Sequence, residues 1–448
     1  MTGTTPEYQL HTLDYQADPV PRLNAVRVLG SPVLLDSADP RSPLGRYSML
    51  CAGPLLQITD DQPAEVVQQH LRAALQSLGP AQWPNGLQLP FGAGLVGYLS
   101  YDYGRQLEQL PSLATHDITL PDLSFGLYDW CLLSDHLQQL SWLVCHPSMS
   151  STRQQHILEQ LAQAAPPAAS FKLCAPFAAE QSKSEYASAF ARVQQYIHAG
   201  DCYQINLAHR FSTRFEGDPL TAYSALRESS PTPFSAYLET RGGALLSLSP
   251  ERFIEVQNGR VETRPIKGTR PRGQTEAQDL ALADELQSCE KDRAENLMIV
   301  DLLRNDLGRS CEPGSIRVPE LFSLESYPNV HHLVSSVTGQ LRNDCDAIDL
   351  LMRAFPGGSI TGAPKIRAMQ IIEELEPVRR SLYCGSVGYL GCEGQMDFNI
   401  AIRSMVCHDS QIHCWGGGGI VADSALEAEY QETLTKVSNL LNALNKAL

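Results

Sequence analysis

Apolar and polar positions along this chain follow two different periods. Over Ala64–Leu78 the apolar residues return every three or four positions, the repeat of a helix with one buried face. The same period carries Tyr186, Phe190, Val193 and Ile197, with Ser184 placed to cap that helix and Gly200 to end it. A long helical pattern covers Ala281–Leu307. Another starts at Thr361–Pro364, with Pro364 in its first turn, Ile366, Met369 and Ile372 on one face, and Pro377 as the stop. The terminal pattern has a capping box, Ser424 to Glu427, and the stripe Leu434, Val437, Leu441, Leu444. Strand-like runs fall at Pro32–Leu35, Leu95–Tyr101, Tyr203–Phe211, Ala244–Leu248 and Arg252–Val256, with a strand pair around Asp409–Gln411. Helices and strands do not alternate in a βαβ rhythm and no repeat is present, so the fold class predicted is α+β with antiparallel sheets. The Ala/Pro-rich stretch Ala162–Ser170 is the expected boundary: an N-terminal region 1–161, a connector 162–183 and a catalytic region 184–441.

Composition narrows the class. The 448 residues are 43% hydrophobic and 19% charged, an ordinary globular balance. Thirty-four basic residues against fifty acidic ones, a net charge of −16 and no basic run argue against nucleic acid as a partner. An acidic chain that binds an anion needs a local device such as a metal ion or free backbone N–H groups. Prolines and glycines break the longest uncharged stretch, Ala73–Tyr101, so no membrane span is expected. The first residues lack the basic and apolar regions of a secretory signal, and twelve scattered cysteines without a CxxC pair fit a reducing cytoplasm.

Four motifs invite chemistry that their surroundings refuse. Gly92–Gly97 has dinucleotide-binding glycine spacing, but prolines precede it and strand follows it. Gly357–Gly362 has P-loop spacing with Ala363 where lysine must stand. Cys407-His408 and His413-Cys414 suggest zinc, yet adjacent strand residues point to opposite faces. Gly391-Cys392-Glu393-Gly394 lacks the spacing of a glutaminase nucleophile elbow, so ammonia made from glutamine would have to come from elsewhere.

Other constellations survive, each with two readings. Asp292 with Glu295 and Glu429 with Glu432 are acidic pairs three apart, each on one helical face. Facing each other they suit Mg²⁺, which takes few carboxylates plus waters and substrate oxygens; standing apart they are solvated helix faces. Lys267, between an apolar residue and a glycine in Arg264–Gly273, reads as a nucleophile activated by burial or as part of a basic docking loop. Glu251 reads as a general acid/base or a strand-edge ion-pair partner. Gly416–Gly419 leaves backbone N–H groups free to seat a carboxylate.

These residues lie in a run of motifs that resembles the chorismate-utilising enzyme family across 184–441: GDCYQINLAHRF, SPERF, RPIKGTRPRG, KDRAENLMIVDLLRNDLGR, FPGGSITGAPKIRAMQII, IAIRS, GGGGIVADS and LEAEYQET. LVGYLSYDYG at Leu95–Gly104 resembles the N-terminal part of the amidotransferase-dependent members. The resemblance implies two large, mostly antiparallel sheets in a sandwich with helices outside. It implies Mg²⁺ held by Glu295 and Glu432, with Asp292 and Glu429 in support. Chorismate would meet Gly268, Thr269, Tyr383, Arg403 and Gly417, Gly418 and Gly419, with His332 near the ring. Gln204 stands where water-using members carry a lysine base, which implies ammonia as the nucleophile. In the RPIxGT loop, Lys267 marks the members that aminate C4. Its amine would attack C2 and expel the C4 hydroxyl, protonated by Glu251, before ammonia adds at C4 to give 4-amino-4-deoxychorismate for para-aminobenzoate and folate. Ammonia would come from a glutamine amidotransferase subunit in a heterodimer. The alternatives within the resemblance are amination at C2 to anthranilate, and a non-catalytic relative that senses chorismate or tryptophan. Relatives hold tryptophan at stretches matching Ser37, Leu44, Gly45, Arg46 and Tyr47, with Pro233 and Phe234.

Overall fold

The structure, a computed structural model, describes residues 5–39, 42, 44–163, 169–327 and 330–445. Residues 164–168, in the stretch read as a connector, lie outside the described residues. Two large antiparallel sheets, of thirteen and ten strands among the described residues, form the body. The thirteen-stranded sheet places Tyr47–Cys51 and Val33–Asp36 beside Phe234–Thr240, then continues through Gly243–Ser249, Ser404–His408 and Gln411–Ile420 to Gln204–Gly217. The ten-stranded sheet likewise sets Leu123–Tyr128 and Gly94–Leu99 beside Ser386–Gly391 and Met396–Asn399. Strands from both sides of the Ala/Pro-rich stretch are therefore paired within each sheet.

Period-two alternation assigns the two faces of the large sheet. Val33, Met49 and Leu133 join Leu95, Phe125, Ile254 and Phe398 of the second sheet in one buried core. Their neighbours Leu34, Leu50 and Leu132 face the other way, into a second core with Tyr223, Leu246, Met405 and Val437 under the outer helices. The Cys407–Cys414 hairpin follows the same rule. Register pairs Cys407 with Ile412 and Cys414 with Met405, facing that second core, while His413 pairs with Val406 and bonds Ser212 on the opposite face.

Helix boundaries differ from the periodic pattern in instructive ways. Ser182, not Ser184, caps Lys183–His198, in a reciprocal box with Glu185. Ser424 and Glu427 do not form a box: the Ser424 hydroxyl donates to Glu429 and Glu427 reaches Lys183. Pro364 stands just before Lys365–Leu375, not in its first turn, and its side chain makes no capping bond. The pattern over Ala281–Leu307 is two helices, Glu276–Ser288 and Glu290–Gly308, parted by extended Cys289. The phase of burial explains the break. Carrying the buried face of Ala283 and Leu286 forward would bury Arg293 and Leu297, whereas Asn296, Ile299, Val300 and Leu303 are the buried ones. No helix among the described residues is long and apolar enough to cross a membrane.

Burial holds His209, His332 and His413 at about 4, below the ordinary 6.5. Between pH 6.5 and about 4 the unfolded chain therefore binds protons that the folded chain does not, so stability is lost as pH falls through that window. The urea midpoint is expected to drop steeply from pH 6.5 to 4; a flat profile there would contradict the burial argument.

Candidate active site

Lys267 lies on the strand Ile266–Pro271, whose register against Val330–Gln340 slips between Ile266 and Thr269. Gly268 allows the slip: its φ is +79°, and a Cβ there would stand 3.0 Å from the Asp292 carboxyl carbon and 2.8 Å from Leu286. Glu251 sits where the chain leaves Gly243–Ser249 in one sheet and enters Arg252–Gln257 in the other, and only 5% of it is exposed. One residue touches both side chains. Ser359, in the short turn Gly358–Ile360, accepts a hydrogen bond from Lys267 Nζ on its carbonyl (3.1 Å) and donates its hydroxyl to Glu251 Oε1 (3.3 Å). Burial raises the Glu251 carboxyl above its usual range, with the Lys267 charge and the Ile266 backbone opposing.

Arg403 precedes the strand Ser404–His408 in a left-handed conformation, φ 51°, which a non-glycine residue adopts at a cost. Its carbonyl accepts from the Leu248 N–H (3.0 Å), and its charge is felt by both Glu251 and His332. Burial pulls the guanidinium below its ordinary value, with Glu251 working the other way. His332 bonds Thr269 through Nδ1 and Oγ1 at 2.9 Å, and its low pKa keeps that ring neutral at pH 7.

The four glycines lie in Gln411–Ile420, paired with Gln204–Gly217 so that Gly417 faces Ala208 and Gly419 faces Asn206. A Cβ on Gly417 would reach within 2.8 Å of the Tyr383 hydroxyl, and one on Gly419 would collide with the Gln204 carboxamide. The Gln204 oxygen is buried with no hydrogen-bond partner among the described residues. Tyr383 stacks at 5° on Trp415.

Three of the four paired acidic residues, Glu295, Glu429 and Glu432, come together. A Cβ on Gly418 would lie 3.3 Å from Glu429 Oε2 and 3.5 Å from Glu432 Oε1. Lys291 Nζ is 3.9 Å from Glu295 Oε1 and 3.5 Å from Glu429 Oε1, so carboxylates from two helices share one cation. Burial raises Glu295, although Lys267 and Lys291 pull it down. Burial also acts on Glu432, but Lys436, at 2.6 Å, together with Lys291 and Lys267 brings it below the usual range. Asp292 instead pairs with Arg270 at 3.1 Å. Among the described residues, no group of three or more His, Cys, Asp or Glu side chains is arranged as a metal site. Glu295 and Glu429 meet at the Lys291 charge, and carboxylate oxygens are the ligand type of Mg²⁺, which takes few of them from the protein.

Lys267, Glu251, Arg403, Glu295 and Glu432 thus form one electrostatic group, with Thr269, His332, Gln204, Tyr383 and the glycines around it. The residues matched to a tryptophan pocket lie elsewhere. Ser37 Oγ donates to the carbonyls of Tyr47 (2.6 Å) and Pro233 (3.2 Å), tying the three segments together. Leu44 N–H bonds Ser42, Gly45 packs against the Asp39 carbonyl, Arg46 pairs with Asp135 at 2.7 Å, and Phe234 lies under Arg252. Sequence reasoning missed Lys291, Lys436 and Ser359. The lysines carried a signal, since each is four residues from a site glutamate on the same helix. Ser359 acts partly through a backbone carbonyl, which no residue type announces.

Known proteins are similar to this chain over most of its length. The family described as chorismate binding enzyme matches residues 30–442, and the chain belongs to it. Aminodeoxychorismate synthase component 1 of Salmonella typhimurium is 46% identical over 429 residues, 92% of each chain. Anthranilate synthase component 1 of Streptomyces coelicolor is 38% identical over 434 residues, 92% of this chain and 84% of that one. The crystal structure of anthranilate synthase component I from Streptococcus pneumoniae superposes with a TM-score of 0.78 at 31% identity, over 88% of this chain and 92% of that one.

Proposed function

We propose that this enzyme aminates chorismate at C4, forming 4-amino-4-deoxychorismate and water from chorismate and ammonia. The observation that carries the reading is the Lys267 amine held beside buried Glu251 on a shared Ser359. The amine, once deprotonated, bonds to C2; the ring double bonds shift and the C4 hydroxyl leaves as water with a proton from Glu251. Ammonia then bonds to C4, the double bonds shift back and Lys267 is released. Gln204, which cannot act as a base, fits a nucleophile other than water. Arg403 and the N–H groups of Gly417 and Gly419, which the sheet register leaves free, would supply charge-assisted and backbone donors for the side-chain carboxylate, with Gly418 between them and Tyr383 beside Gly417. Gly268 and Thr269 border the ring carboxylate, and neutral His332 orients Thr269.

Glu295 and Glu432 would hold Mg²⁺, with Glu429 and Asp292 nearby, and the bound ion supplies positive charge for a substrate carboxylate. Ammonia would be delivered by a separate glutamine amidotransferase subunit, a reading supported by relatives named as one component of a larger enzyme. Tryptophan would bind where Ser37 joins the segments of Tyr47 and Pro233, which calorimetry measures directly. Twelve unpaired cysteines support a reducing, cytoplasmic setting.

Incubating the protein with chorismate, Mg²⁺ and ammonium separates the readings. The expected product gives para-aminobenzoate only after a lyase is added; fluorescent anthranilate would mean C2 amination, and no product under any condition would sink both enzymatic readings. Glu432→Gln is expected to weaken Mg²⁺ binding by about tenfold to a hundredfold, read by calorimetry and by the metal dependence of turnover. An unchanged titration would remove Glu432 from the metal site.

A further inference from the structure

Beneath the site lies an ion pair to which the chemistry above gives no part. Arg380 is 1% exposed and donates through Nε and Nη2 to both oxygens of Glu376, at 2.8 and 2.6 Å. A buried pair of this kind is weak evidence for stability, because desolvation offsets most of the attraction. What sets this one apart is where its remaining bonds go. Nη1 donates to the carbonyl of Ile360 (3.1 Å), the neighbour of Ser359, and Nη2 also to the carbonyl of Asn206 (2.6 Å), two residues from Gln204. Glu376 Oε1 accepts from the N–H of Ala208 (2.9 Å), whose partner across the sheet is Gly417. The Arg380 Cζ stands 5.8 Å from the ring centroid of Tyr383, and the Arg380 carbonyl accepts the Tyr383 N–H at 3.0 Å.

Two stretches of chain, together with the turn that carries Arg380 itself, thus meet at one planar fork. They are the Ser359 turn that holds Lys267 and Glu251, the strand that carries Gln204 and backs the glycine seat, and the turn that presents Tyr383. We propose that Arg380, with Glu376, is a positioning residue for amination. It fixes the distance between the covalent half of the site, around Lys267, and the half that grips the substrate side chain. This rests on the function proposed above, since it assigns those halves their roles. A displacement of about 1 Å between them is enough to cost on the order of a hundredfold in rate.

Two conservative variants test it. Arg380→Lys keeps the charge and the reach to Glu376, but a compact ammonium cannot serve Glu376, Ile360 and Asn206 at once. Glu376→Gln keeps an acceptor for the Ala208 N–H and removes the charge. Amide exchange is followed in residues 204–208 and 358–361 and, as reference, in the core strands Gly94–Leu99 and Leu123–Tyr128, beside chorismate turnover. The expected result is faster exchange in the two site segments alone, wild-type protection in the reference strands, and a fall in kcat of about tenfold or more. Unchanged exchange and turnover in the folded variants would overturn the proposal. So would exchange that accelerates uniformly, or the failure of both variants to fold, since either makes the pair a support of the whole core. If the wild-type protein does not aminate chorismate, the functional reading fails while the exchange comparison still decides the role of Arg380.

Discussion

Lys267→Ala is expected to abolish formation of 4-amino-4-deoxychorismate, lowering the rate by on the order of 10³-fold or more. In the proposed route the lysine nitrogen is the atom that opens the ring system, so no neighbour can substitute for it. Ser359 holds the amine through a backbone carbonyl, which an alanine cannot engage. Any residual amination should appear at C2, because ammonia must then attack the substrate directly. Mass spectrometry of wild-type protein quenched during turnover should find chorismate less water attached to Lys267, and none on the variant. An alanine variant that keeps both the rate and the C4 product would refute the covalent route.

Glu251→Gln has the second largest expected effect, a fall of about 10²- to 10⁴-fold in kcat. Glutamine keeps the shape and an oxygen for the Ser359 hydroxyl but has no proton to give the departing C4 oxygen. Burial raises the Glu251 carboxyl in the folded protein, so the acid form persists to higher pH than for an exposed glutamate. Two consequences follow in the same direction. The wild-type kcat/KM should fall as pH rises past that raised value, and the limb should vanish in the variant. A carboxyl whose pKa is raised by folding also contributes stability at low pH that is lost as pH rises, so the variant should lose less stability than wild type on the alkaline side. A glutamine variant with wild-type kcat would remove Glu251 from the chemistry.

Much of this arrangement was legible in the residues because it depends on periodicity or on spacing. Ala64–Leu78 forms as its pattern predicts, and the two faces of the large sheet follow alternation at Val33–Leu34 and Met49–Leu50. The facing of the acidic residues was readable as one possibility; the break at Cys289 was not, because burial changes phase there with no proline or glycine to mark it. Caps were harder. Serines at 182 and 184 are equivalent by residue type, and only the reach of Glu185 back to Ser182 decides between them. Hardest of all were the bonds through main-chain atoms at Ser359, Ile360, Asn206 and Ala208, because every residue offers the same carbonyl and N–H.

The order of strands in the two sheets bears on how the chain is made. Val33–Asp36 lies beside Phe234–Thr240, and Gly94–Leu99 beside Ser386–Gly391, so early segments leave the ribosome long before their partners exist. Apolar edges such as Leu95–Leu99 must therefore wait, exposed, through the synthesis of almost three hundred further residues. Strand edges left unpaired in this way are templates for wrong pairing until the later segments arrive.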